Sequence, residues 1–249
     1  MKEILLLDKK EGETPLQALE KFRASNKKYK DIKMTYAGRL DPMASGLLLV
    51  LVGEEIKNKE KYLALDKEYE FEILFGFATD TYDILGKITS QPQRQDLWGK
   101  AELAKRIKEN LKHFTGNFIQ AYPLYSSKTI KQARAEKKVL VSSHTVLVKK
   151  LEFLKLRTVS GSILFIDIEK RIKKVTGDFR QEEILKIWRN SLSVKHPMFD
   201  RRYIATFKIT CSSGTYVRGI ANSLGEKINL PALAYSIKRT RIGKWRLKE

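Results

Sequence analysis

A carboxylate in a glycine-rich loop, an arginine behind a glycine turn and a tyrosine on an alternating strand have the makings of a site if the fold brings them together. The carboxylate is Asp41 in Gly38-Arg39-Leu40-Asp41-Pro42. Aspartate in such a loop is commonly a turn former or a helix cap, so its company elsewhere decides its role. The arginine is Arg218 in Gly214-Thr215-Tyr216-Val217-Arg218, on the first turn of a predicted helix. Arginine is always charged and pairs bidentately with a carboxylate or a phosphate; the alternative is a place on a solvated helix face. The tyrosine is Tyr69, which either packs in the sheet or stacks on a base. Asp80, Tyr82 and Asp83 in Thr79-Asp80-Thr81-Tyr82-Asp83 are turn residues on one reading and shape a nucleic-acid-facing loop on the other.

The charge balance narrows the ligand. Lys and Arg number 49 against 29 Asp and Glu, a net charge of +20. Such an excess attracts polyanions through phosphate contacts and counterion release. The basic residues are spread along the chain and not gathered in one amphipathic segment, which favours nucleic acid over a membrane surface. The apolar run Leu47–Val52 is far too short to span a bilayer. The N-terminus carries no cleavage-site pattern and reads as a strand. The single Cys211 cannot form an internal disulfide, and His113, His144 and His196 lie too far apart in sequence for metal-ligand spacing. The expectation is a cytoplasmic chain without metal or cofactor. Its 249 residues suit one large domain or two modest ones.

The elements that must hold these residues are read from periodicity. Residues 3–8 read as a strand. Thr14 reads as a helix N-cap, with Pro15 first in the helix and Gln17 completing a capping box. Residues 34–46 read as loop, 47–52 as a buried strand and 54–63 as a helix. Residues 67–76 alternate as a strand with one wet face, and 84–88 read as a return strand. Leu103, Ile107 and Leu111 mark an amphipathic helix over 99–112, followed by an ordered loop over 117–130. Residues 146–156, 162–168 and 203–210 read as strands and 180–188 as a helix. A helix runs from Thr215 or Tyr216 to about Ile228, and 230–237 reads as a short last helix. Antiparallel-looking strand pairs with helices between them imply an α+β fold.

The pieces fall in a recognisable order: Asp8-Lys9 with Gly12, Gly38-x-Leu40-Asp41-Pro42-x-Ala44-x-Gly46-Leu47-Leu48, Lys67-x-Tyr69 and Gly76-x-x-Thr79-Asp80-Thr81-x-Asp83-x-x-Gly86. Gly116-x-x-x-Gln120 with Pro123, Tyr125 and Ser126 follows, then Cys211-x-x-Gly214-Thr215-Tyr216-Val217-Arg218 and Lys238-Arg239-Thr240-x-x-Gly243. Together these resemble the TruB-type synthases that make pseudouridine 55 in the TΨC arm of tRNA. The resemblance implies a pseudouridine synthase core, a mixed, mostly antiparallel sheet with flanking helices and a central RNA-binding cleft. It makes Asp41 the catalytic carboxylate, Tyr69 the residue that stacks on the target base and Arg218 the partner of Asp41. Lys9, which supports the catalytic loop, joins Tyr36, Arg39, Asp80, Tyr82 and Tyr125 as the substrate-binding set. It implies RNA, tRNA above all, as partner to a monomer with no protein partner and no membrane.

The chemistry suits those residue types. Isomerising uridine breaks the N1–C1′ bond, turns the uracil and joins C5 to C1′. A carboxylate serves as nucleophile or helps remove a sugar proton. Burial raises its pKa and a neighbouring arginine opposes that rise. Extruding the base costs roughly a few kcal/mol, and stacking on tyrosine recovers ~1–3 kcal/mol.

The chain departs from the pattern at Lys10, which replaces a proline, at Thr35-Tyr36, where the family has Gly-His, and at Arg39, where it has a small residue. Gly-Arg-Leu-Asp is similar to synthases acting on ribosomal RNA, so that substrate stands as an alternative, as does an RNA-binding or RNA-folding protein without catalysis. The expected organisation is a single catalytic domain over 1–249 with an insertion at about 157–202, basic around Lys170–Lys174, and no C-terminal RNA-binding domain. The insertion is either a surface elaboration or an extra RNA contact.

Overall fold

The apolar run Leu47–Val52 is the heart of strand β3 (Ala44–Gly53), and each of its six residues is fully buried. A run without polar alternation needs cover on both faces, and the sheet around β3 supplies it. In the computed structural model, which describes residues 2–91, 98–126, 142–193 and 201–247, β1 (Lys2–Lys9) pairs antiparallel with one edge of β3. The other edge is shared. Strand β2 (Met34–Tyr36) pairs antiparallel with Val50–Val52, and β10 (Ala232–Ile242) pairs parallel with Ala44–Gly46. Residues 47–49 lie in the fork between these two partners.

From β10 the sheet continues antiparallel through β4 (Lys67–Phe75), β9 (Arg201–Cys211), β8 (Ser143–Ser160) and β7 (Gly116–Ala121). With β11 (Trp245–Arg246) paired to β10, nine strands form this sheet among the described residues; β5 (Ala78–Thr79) and β6 (Ile88–Ser90) form a separate pair. One face of β4, with Phe71, Ile73 and Phe75, packs beneath α3 (Lys100–Asn110) and α6 (Val217–Lys227). On the other face Leu74, Ile204 and Leu233 pack beneath α4 (Gly161–Ile172) and α5 (Gln181–Leu192). Helix α1 (Pro15–Ser25) and the short α2 (Lys59–Leu63) cover the β1–β3 end. No helix of the described residues is long and apolar enough to cross a membrane.

The α+β reading and its mixed, mostly antiparallel sheet hold. So does the capping box at α1: Thr14 Oγ1 accepts from Gln17 N at 3.2 Å, and Gln17 Oε1 accepts from Thr14 N at 2.7 Å. Several local readings are corrected. Residues 162–168 form part of helix α4 and not a strand; their β-branched residues suggest β, but Leu164, Ile168 and Ile172 bury one helical face, and Ser160 Oγ caps it by accepting from Ile163 N. Residues 230–237 lead into strand β10 and not a last helix, because the slot between β3 and β4 demands an extended chain. The supposed wet face of β4 is largely covered: Glu68 is buried among Thr240, Arg246 and Arg241, Glu72 meets Arg157 and Ser236, and only Glu70 is exposed. Residues 84–87 make a buried turn before β6, and residues 116–121 form β7 where loop was expected, residues 127–130 lying outside the described set. The segment 34–46 opens as β2 and ends as β3, and residues 54–58 are 3-10 helix ahead of α2. Within 157–202, β8 and β9 stay paired from Arg157–Ile204 to Ser160–Arg201, with α4 and α5 between them.

Trp188 anchors α5. It is fully buried, touches Phe77 at a ring separation of 5.2 Å, and donates from Nε1 to Ile84 O at 3.1 Å. Trp188→Ala should lower unfolding free energy by about 3–5 kcal/mol, read as a shifted midpoint in urea denaturation; an unchanged midpoint would show that α5 is not part of the cooperative core.

Candidate active site

The loop carrying Asp41 sits in the fork on β3. Between β2 and β10 the carbonyls of Leu47 and Leu49 have no strand partner. Ala37 N donates to Leu49 O at 2.8 Å, and Arg239 of β10 donates from Nε to Leu47 O at 2.8 Å. The rest of the same guanidinium reaches into the loop, Nη1 donating to Arg39 O and Nη2 to Gly38 O, each at 3.2 Å. Arg239 is one of the most completely buried side chains, at 1% exposure. Gly46 makes the close approach feasible: its φ is +98°, and a Cβ there would lie 2.4 Å from Arg239 O.

Lys9 holds the other end of the loop. Its Nζ donates to Ala44 O at 2.5 Å, Lys10 O at 3.0 Å and Pro42 O at 3.4 Å. Burial lowers its amine to about 8, against the pull of Glu13, Asp41 and Glu11. Lys9 is wholly covered, so it steadies the loop from behind. With the backbone gripped at Gly38, Arg39, Pro42 and Ala44, the Asp41 carboxylate stands partly open, its side chain 41% exposed.

Asp41 Oδ2 accepts from Arg218 Nε at 2.8 Å. Arg218 lies on the first turn of α6, 3% exposed, and donates from Nη1 to Thr81 O at 2.7 Å and from Nη2 to Tyr125 O at 3.2 Å. The helix start is fixed by Gln120 of β7, which exchanges two 2.9 Å hydrogen bonds with the backbone of Tyr216. Removing a guanidinium from water is costly unless its donors are paired, and Asp41 with two carbonyls pairs them. The Arg218 pKa is lowered by burial and raised more by Asp41 and Asp83, a net rise.

Tyr69 belongs to the same core cluster as Leu40, opposite Arg239 in the β4–β10 register. It is 9% exposed, and burial raises its hydroxyl pKa. Asp41, Tyr69 and Arg218, separate in sequence, are thus gathered around one loop. Tyr125 and Asp80 lie nearby but are tied to a residue the sequence reading did not single out, Arg180, which donates to Asp80 Oδ2 at 2.7 Å and to Tyr125 Oη at 3.2 Å. Tyr82 is half-buried with a φ of 63°, and its carbonyl accepts from Ala234 N at 2.9 Å. Arg39 is exposed and contributes its carbonyl to Arg239. Tyr36, on β2 opposite Val50, packs against the cluster beneath α1. Arg239 was visible in a motif but without a role. Burial pushes the Cys211 thiol up to about 11, leaving no thiolate at neutral pH, and among the described residues no cluster of His, Cys, Asp or Glu could hold a metal.

Asp83 completes the electrostatics. Its Oδ1 accepts from Thr81 Oγ1 at 2.7 Å and Leu85 N at 3.0 Å. Burial pushes its carboxyl up to about 6, although Arg218 pulls it down. A carboxyl raised in the fold destabilises when ionised: the penalty is absent below about pH 4 and complete above about pH 6. Asp83→Asn keeps the acceptor and removes the titration. Its stability relative to the parent should therefore rise between pH 4 and pH 6, by about 1–3 kcal/mol, in urea denaturation across that range; a difference that does not change with pH would rule out the raised Asp83 carboxyl.

Comparison with known proteins shows the family. Residues 26–176 match the TruB family pseudouridylate synthase N-terminal domain. The tRNA pseudouridine synthase B of Borrelia garinii subsp. bavariensis is 32% identical over 254 residues, spanning 98% of this chain and 71% of its own length. That of Aquifex aeolicus is 27% identical over 245 residues, spanning 98% and 70%. A chain of a Cbf5-Nop10-Gar1 complex has the same fold at a TM-score of 0.58 and 18% identity, as does one from an H/ACA RNP bound to a substrate RNA containing 2′-deoxyuridine, at 0.55 and 17%. These cover 98% of this chain, which spans about half the length of the solved chains. With the match extending over more than half its residues, the chain belongs to the TruB family of pseudouridylate synthases.

Proposed function

We propose that the chain isomerises uridine to pseudouridine in tRNA, at uridine 55 of the TΨC arm, with Asp41 as its catalytic carboxylate. The observation that carries this reading is the Asp41–Arg218 pair: one partner sealed in the core, the other open, joined at 2.8 Å. A protein that only bound RNA would gain nothing from aiming a carboxylate at an anionic ligand. The relatives named tRNA pseudouridine synthase B support the substrate.

Arg218 fixes the direction of the Asp41 carboxylate, while the loop grips of Lys9 and Arg239 limit its backbone movement. Asp41 acts on the sugar, as nucleophile at C1′ or in removing a sugar proton. The uracil freed from N1–C1′ turns against the Tyr69 ring and rejoins through C5, which then loses its proton while N1 gains one, so that the product is an isomer of the substrate. Arg39, Tyr82 and Tyr125 meet the RNA around this point, and the net positive charge supplies backbone affinity. The reading takes residues 1–249 as one catalytic unit with an insertion between β8 and β9, acting on RNA in the cytoplasm as a monomer, without cofactor or protein partner.

Asp41→Asn should lower pseudouridine formation in an unmodified tRNA transcript by about a thousandfold or more, with RNA affinity changed less than about threefold. Mapping pseudouridine in tRNA and ribosomal RNA treated with each protein checks both halves. Normal product from the variant would overturn the role of Asp41. Product confined to ribosomal RNA would overturn the substrate.

A further inference from the structure

The segment between β8 and β9 was read from sequence as basic and thus as a candidate RNA contact. Residues 161–192 hold seven Lys and Arg against five Asp and Glu, and several of the cations are already paired. Lys173 and Arg189 meet Glu169 at 3.1 and 3.4 Å. Arg171 and Lys174 meet Glu11 at 2.6 and 3.3 Å. Arg180 meets Asp80 at 2.7 Å. The last two connections leave the segment and end beside the site, Glu11 two residues beyond Lys9 and Asp80 next to Thr81. The apolar face of α4 and α5 does the same: Leu164, Ile168, Ile184 and Trp188 share a core with Met43, two residues from Asp41, and with Ile84.

Arg180 makes the connection to Asp80. It precedes α5 with φ 64° and ψ 28°, a left-handed conformation that disfavours every residue but glycine and persists only when surroundings impose it. Its Nη1 donates to Asp80 Oδ2 at 2.7 Å and Tyr125 Oη at 3.2 Å, and Nη2 to Asp80 Oδ1 at 3.4 Å. Its guanidinium carbon lies 4.8 Å from the centre of the Tyr125 ring. The two carbonyls that accept from Arg218 belong to Tyr125 itself and to Thr81, the neighbour of Asp80. One arginine therefore grips, by their side chains, the stretches whose backbones hold the other.

We propose that Arg180 is a positioning residue for the isomerisation: by clamping Asp80 and Tyr125 it fixes the two carbonyls that orient Arg218, and through Arg218 the Asp41 carboxylate. The α4–α5 segment then serves as a brace on the catalytic loop. This rests on the reading of Asp41 and Arg218 given above.

The test uses the full chain and an unmodified tRNA transcript, with enzyme in excess so that one turnover is followed, and with RNA affinity measured separately by filter retention. Arg180→Gly removes the guanidinium while relieving the left-handed backbone, so it is expected to fold with an undiminished thermal midpoint. Its saturated rate should fall about tenfold or more, the scale on which small misplacements act, with affinity changed less than about threefold. Arg180→Lys keeps the charge but not the planar pair of donors, and should recover part of that rate. An unchanged saturated rate in Arg180→Gly overturns the proposal, as does a loss carried wholly by affinity, which would make Arg180 an RNA contact. Parent protein that forms no pseudouridine overturns the underlying reading of the site, and this proposal with it; active parent with an equally active Arg180→Gly overturns this proposal alone.

Discussion

Everything at the site depends on one unpaired carbonyl. Two strands share an edge of β3, and where they part the Leu47 carbonyl is left in the core without a ladder partner. A buried acceptor without a donor costs about 1–3 kcal/mol. Arg239 supplies the donor, and because a guanidinium has several, it satisfies Gly38 and Arg39 with those that remain. The fork creates a vacancy in the hydrogen-bond ladder, and the residue that fills it also shapes the loop. The Asp41 loop is in this sense a by-product of sheet topology, held open where two strands diverge.

A second layer of order is electrostatic. Lys9, Arg218 and Arg239 bring positive charge under the loop, all nearly or wholly covered. Much of what they meet is backbone carbonyl, with Asp41 and Asp83 as the nearby anions. Carbonyl acceptors satisfy cations without neutralising them, so a positive field remains at the carboxylate. The chain thereby concentrates at one loop the same sign of charge that it spreads over its surface for a polyanion.

How much of this could be read from sequence varies with the range of the interaction. The α1 capping box lies within four residues, and its hydrogen bonds formed as expected. The Asp41–Arg218 pair spans 177 residues and was legible only because both ends sit in ordered motifs. Secondary structure failed where context overrode local preference: β10 is extended because it lies between β3 and β4, and α4 is helical because one face of an Ile-rich run meets the back of the sheet. The grip of Arg239 on Leu47 was invisible, since nothing local marks a carbonyl as unpaired. Arg180 gave no signal either; its left-handed backbone and its reach to Asp80, 100 residues away, exist only in the assembled fold.

The place of β10 in the chain order has a consequence for how the molecule comes into being. The bond from Arg239 to Leu47 spans 192 residues, so β3 is synthesised long before the strand that completes its edge. Until residues 232–242 emerge, a nascent chain exposes one of its most apolar strands with part of its hydrogen-bonding edge free, a known template for pairing with other chains. Closure of such distant contacts is slow, and the window for misassembly on the ribosome is correspondingly long. Catalytic competence and protection from aggregation therefore arrive together, with the same late strand.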